Sequence, residues 1–367
     1  MHAQDIRVLF DKVEDPRVQG RCLHQLSDIL FIALCTLLSG GEDFEDMVAF
    51  AEERLDWLKE RLVLPHGIPS HDTFNRVLQN IVPEQLISVL EADGKALIDH
   101  LDGKLVILDG KKLRGASVRK SANAGLYVLN AWVSQSQLCI GQLKVGDKSN
   151  EITAIPTILD QLNLEGAIIS IDAIGCQKEI AEKIVAQPAD YILAVKGNQE
   201  DLLEEVSESF QFSSVEHLNE QWEYDHGRFE KRHCAVLPAA DCLSPVLRKV
   251  WPSINTLVKI EATRIVDDVR STKTRYYITS LADKSALTIN QLIRSHWSIE
   301  NQLHWHLDVT FGEDASRARR GYAAENLSLM RKVALHRITK DRSKLSKRKR
   351  RYKAAMNLEY LEKILHL

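Results

Sequence analysis

The chain has 367 residues, of which 44% are hydrophobic and 27% charged, with a net charge of −3. That length can bury a sizeable core and is expected to hold two or three domain-sized units. The longest apolar run, 29–38, is about half the roughly 20 residues needed to cross a bilayer. No basic region leads into an apolar one at the N-terminus, so a cytoplasmic protein is expected. Six cysteines (22, 35, 139, 176, 234, 242) are scattered without CxxC pairs, which argues against a zinc ribbon or a disulfide framework and fits a reducing compartment.

Residues 1–100 read as helical. An apolar helix is expected over 26–38 and an amphipathic one over 43–61; Ser70 or Asp72 is placed to cap a helix over 73–80, and Pro83 to open another running to about 100. Helix pairs joined by short turns serve as DNA-reading helix-turn-helix units or as plain packing.

From Leu105 the pattern alternates. Apolar and β-forming runs over 105–109, 126–134 and 138–145, the last two separated by Gln135-Ser136-Gln137, predict an antiparallel meander. A helix over 150–162 containing Pro156, a strand over 167–172, a helix over 177–187, a strand over 191–195 and a helix over 199–210 follow. This is the order of the ribonuclease H-like α/β fold, in which the first and fourth strands lie side by side. Short β runs at 230–237, 256–265 and 274–280 predict a β-rich insertion at about 211–286, and 296–305 has helical apolar spacing without Gly or Pro.

Three acids stand out. Asp109 closes the apolar run 105–108, Asp172 closes 168–171, and Glu300 lies on the expected helix. Two strand-end carboxylates and one helical carboxylate can converge on divalent cations, and hard oxygen ligands suit Mg²⁺ or Mn²⁺. Each has a plainer role: Asp109-Gly110 as a turn, Asp172 as a helix N-cap, Glu300 as a surface residue, with Glu313-Asp314 competing for the third place. His304 and His306 cannot share a zinc ion on a helix, since positions two apart diverge by about 200°. His296, Glu300, His304 and Asp308, spaced by four, are expected to form a polar stripe.

The strings Gly67-Ile-Pro-Ser-His-Asp-Thr-Phe74, Leu108-Asp-Gly-Lys-Lys-Leu-Arg-Gly115, Lys148-Ser-Asn-Glu-Ile-Thr-Ala-Ile-Pro156, Asp172-Ala-Ile-Gly-Cys-Gln-Lys178, Lys196-Gly-Asn-Gln199, His296-Trp-Ser-Ile-Glu-Asn301 and Leu303-His-Trp305 run in order along nearly the whole chain. Together they resemble the H-repeat-associated group of bacterial insertion-sequence transposases. The resemblance implies a ribonuclease H-like Asp-Asp-Glu transposase that cuts element ends and joins 3′-hydroxyls to target DNA with two Mg²⁺ or Mn²⁺ ions. It makes Asp109, Asp172 and Glu300 the catalytic and metal-binding carboxylates. It also implies a helical transposase-associated domain over 1–100, a catalytic domain over 101–340, and a homo-oligomer on double-stranded DNA at the bacterial nucleoid. The Tyr, Arg, Glu and Lys of wider relatives land on Ile293, His296, Glu300 and Leu307, so only the Glu is retained and the basic residue expected at Leu307 is missing.

Lys111, Lys112, Arg114, Lys148, Lys196, Arg294 and His296 are the expected DNA contacts. The basic residues of 331–353, including the 341–367 tail, together with Arg317, Arg319 and Arg320, are either a solvated charged surface or a phosphate-contacting one. Two other functions fit the same residues: a DNA-binding relic or regulator that no longer transposes, and a structure-selective nuclease.

Overall fold

The computed structural model describes residues 6–18, 20–98, 100–116, 126–146, 151–213, 217–225 and 228–366. Two compact units emerge: Met1–Asp99 with Gly110–Lys148 and Glu300–Leu367, and His100–Asp109 with Ser149–Ile299. The nine strands are β1 (Leu105–Leu113), β2 (Leu126–Val133), β3 (Leu138–Val145), β4 (Ile168–Ile171), β5 (Asp190–Val195), β6 (His217–Asp225), β7 (Arg228–Pro238), β8 (Thr256–Val266) and β9 (Val269–Thr279). Their order is β3-β2-β1-β4-β5-β9-β8-β7-β6, and its first five members follow the ribonuclease H-like order.

In the second unit, β1, β4 and β5 pair in parallel. Residues 105–108 and 168–171 are buried throughout, which is why these strands read as unbroken apolar runs. The insertion does not stand apart, because β9 pairs antiparallel with β5 and the β8, β7 and β6 ladders follow from it. Asp267 and Asp268, at φ 47° and 61°, make the left-handed turn between β8 and β9. Strand β6 escapes sequence patterning because its segment, with Asn219, Glu220, Gln221 and Glu223, is largely polar. Helix Ala286–His296 packs on β4, β6 and β7.

The first unit is helical around the β2–β3 hairpin. Helix Leu26–Leu38 buries every residue except Ser27, as a helix apolar on all sides must. The expected 43–61 helix is two, Phe44–Glu53 and Leu55–Lys59, parted at Arg54. Asp43 opens the first with a capping box through Asp46. Ser70, not Asp72, caps His71–Asn80, and Pro83 opens Pro83–Leu97. Because Ser70 Oγ accepts from the Thr73 amide, Ser70→Ala is expected to lower unfolding free energy by about 1 kcal/mol in urea titration.

Helix Ala323–Lys340 packs against Leu26–Leu38, Pro83–Leu97 and β3. This corrects the view of the C-terminal basic residues as surface, since Arg331, Lys332, Arg337 and Arg351 are at most 5% exposed. A charge so placed must be paired or hydrogen-bonded, and each one is. Arg337 bonds Asp93, which also meets His336; Lys332 bonds Gln142 and Ser328; Arg331 bonds the Glu42 carbonyl; Arg351 reaches the Leu37, Thr310 and Gly41 carbonyls. The 341–367 tail contains helices Lys347–Met356 and Leu358–Leu365. Arg342, Lys344, Arg348, Lys349 and Lys353 remain exposed. No helix among the described residues is long and apolar enough to cross a membrane.

Candidate active site

The second unit supplies two carboxylates. The register pairs Leu108 with Ile171, so the residues that follow, Asp109 within β1 and Asp172 just past β4, come at the same level. Strand β4 ends at Ile171, and Asp172 accepts from the Ile174 amide at 3.0 Å, capping the turn Ala173–Gly175. The N-cap role therefore exists and occupies one oxygen. Strand β1 does not end at Asp109 as its sequence suggests, but continues to Leu113.

His296 closes the Ala286–His296 helix, and its Nδ1 lies 2.9 Å from the hydroxyl of Ser170, two residues before Asp172 on β4. Burial pushes the imidazole pKa down to about 4, against the opposing pull of Asp172. His296 is thus neutral near pH 7, and its contact with Ser170 carries a proton from either side: the hydroxyl donates if Nε2 is protonated and accepts if Nδ1 is. Nothing in the apolar run 168–171 marks Ser170 as a partner. Arg294 forms an ion pair with Glu223. Lys196 is exposed just past the end of β5, while Lys148 lies outside the described residues.

The first unit supplies Glu300. The helix expected over 296–305 gives way to two wide π-type segments, Glu300–His304 and His306–Thr310, a backbone form frequent at functional sites. Glu300 lies 3.0 Å from His304 Nδ1. Hydrogen bonding by His304 lowers the carboxyl pKa against the effect of burial, and the positive charges of His304 and Lys111 assist. His306 Nδ1 instead meets the Thr310 hydroxyl at 2.9 Å, so the two histidines serve different partners, as their spacing requires. Leu307 is fully buried.

Lys111 overturns its expected role as a phosphate contact. It is 7% exposed, and its Nζ donates to Asp308 at 2.5 Å and to Glu313 at 2.7 Å. Asp308 therefore leaves the expected polar stripe. Burial would raise the Glu313 pKa, but Lys111, Lys332 and Arg331 hold it at about 2. Glu313 pairs with Lys111, and Asp314 lies 3.8 Å from the exposed Arg114. Lys112 is exposed. Along the chain, Asp109 is the last residue of a second-unit segment and Glu300 the first residue of a first-unit one.

The strand order is ribonuclease H-like, with Asp109 inside β1 level with Asp172 just past the end of β4. The family named "Transposase DDE domain" matches residues 100–336, and the family "DDE_Tnp_1-associated" matches residues 8–92. The chain belongs to the DDE transposase family. It is 37% identical to "Putative transposase YncI" of Escherichia coli O157:H7 over 100% of this chain and 95% of that one. It is 38% identical to "H repeat-associated putative transposase YhhI" of Escherichia coli (strain K12) over 96% of this chain and 95% of its relative. A cryo-EM structure of a piggyBac transposase synaptic complex with hairpin DNA is similar at a TM-score of 0.43 and 12% identity, covering 100% of this chain and 78% of that one.

Proposed function

We propose that this transposase cuts the ends of a DNA element and joins the freed 3′-hydroxyls to target duplex, with Asp109, Asp172 and Glu300 holding two Mg²⁺ or Mn²⁺ ions. The observation that carries this is the β1–β4 register, which brings Asp109 level with Asp172 just past the end of β4. An all-carboxylate donor set fits hard divalent cations, and Glu300, with its lowered pKa, is ionised at neutral pH as a ligand must be. Bound ions of this kind stabilise charge in an in-line displacement at phosphorus.

The protein's own groups orient and position. The Ile174 amide fixes the Asp172 rotamer, and His304 holds Glu300. With the Ser170 hydroxyl donating to Nδ1, neutral His296 carries its proton on Nε2 and donates it to a phosphate oxygen. Lys112, Arg114 and Lys196 contact flanking phosphates, whereas Arg294 does so only by leaving Glu223. Bringing two element ends together calls for a homo-oligomer on DNA.

The test is a supercoiled plasmid carrying the coding region with its native flanks, incubated with purified protein. Cutting at the flanks and joined products are expected in Mg²⁺ or Mn²⁺, with complete loss on addition of EDTA. Folded protein that binds the flanks yet cuts with neither ion would refute the proposal, and cutting without joining would favour the nuclease.

A further inference from the structure

We propose that a basic groove in the N-terminal part of the first unit, with none of the site carboxylates in its lining, binds backbone phosphates of duplex DNA. This rests on the DNA reading above and locates a contact that the site does not contain. The groove is open, about 760 Å³, and is lined by residues 16–18 and 21–24 and by Thr73, Arg76, Val77 and Asn80 along helix His71–Asn80. Arg17, Arg21, Arg76, His24 and His66 line it, and among the described residues no Asp or Glu does. In a chain with 51 acidic residues against 48 Lys and Arg, an acid-free lining with three guanidinium groups is a local departure from the average surface.

The groups are unequal. Arg17 is held by Asp15 at 2.7 Å and by the His24 carbonyl at 2.8 Å, so its charge is partly offset. Arg21 and Arg76 are exposed, and the Arg76 Nε contact to the Asp72 carbonyl neutralises no charge. The pKa of His24 is lowered chiefly by burial, with smaller effects of His66 and Arg17. Guanidinium groups suit phosphate because their planar fork matches its oxygens. A groove of this size is larger than one phosphate needs, which favours a polyanionic backbone over a single ion.

The experiment measures the affinity of the full chain for a fluorescein-labelled duplex of arbitrary sequence between about 50 and 200 mM salt. Each lost phosphate contact reduces the slope of log K against log salt by about 0.9, so Arg21→Ala with Arg76→Ala is expected to flatten it by about 1.8 at unchanged melting temperature. Each single variant carries its own decrement, so one that folds is sufficient. A steep wild-type slope left unchanged in the variants would overturn the groove while sparing the DNA reading. A flat wild-type slope would sink both. Displacement of the duplex by millimolar inorganic phosphate at constant ionic strength would assign the groove to a small anion and overturn the duplex assignment.

Discussion

Asp172→Asn is expected to reduce donor cleavage on the order of 10³-fold or more while leaving the fold intact. Charge stabilisation by bound metal is worth several kcal/mol, and each 1.36 kcal/mol is a factor of ten in rate. The substitution is informative because Asp172 has two candidate duties. The Asn carbonyl oxygen still accepts from the Ile174 amide, so the cap on Ala173–Gly175 is retained, while the negative charge that holds a cation is removed. A capping role alone predicts near-normal cutting. Asp109→Asn and Glu300→Gln are expected to match it in plasmid cleavage, and full activity in any of the three would remove that residue from the site. Melting temperature and duplex affinity serve as controls, since a loss of either would make the rate uninterpretable.

Lys111→Met is expected to cost about 3–5 kcal/mol of unfolding free energy, because removing one partner of a buried ion pair leaves the other charge uncompensated. That is a large share of the roughly 5–15 kcal/mol typical of a domain. Here two carboxylates lose their partner, Asp308 and the buried Glu313. The sign with pH follows from Glu313, whose pKa of about 2 lies below the ordinary Glu value of about 4.3. Its stabilisation is complete above about pH 4.3 and is lost as pH falls through about 2. Lys111→Met should therefore be most destabilised near neutral pH, with a smaller gap from wild type at pH 3. Urea titrations at the two pH values measure both effects. A cost under about 1 kcal/mol at pH 7 would show that Lys332 and Arg331 suffice for Glu313 without Lys111.

Most of the strand framework was legible because its signal is local. Residues 105–108 and 168–171 are buried on both faces, so their sequence shows the environment directly, and the strand order then places Asp109 beside Asp172. The polar strand β6 and the first half of β9 were not legible, because their pairing comes from ladder neighbours and not from an apolar face. The wide turns after Glu300 were hidden for a related reason: apolar spacing of three to four residues does not separate an α-helix from a π-type variant over a single turn.

By itself, the amino-acid sequence determined the α/β class, the helical N-terminal region and the place of Asp172 at the end of its strand, all of which follow from periodicity over a few residues. Tertiary structure decided which charges face inward. Lys111, Arg331, Lys332, Arg337 and Arg351 look like surface cations in the sequence, yet their acceptors, Asp308 and Glu313, the Glu42 carbonyl, Gln142, Asp93 and the Thr310 carbonyl, are all far from them along the chain. A buried charge is tolerated only with such partners, and only the folded chain brings them within hydrogen-bonding reach.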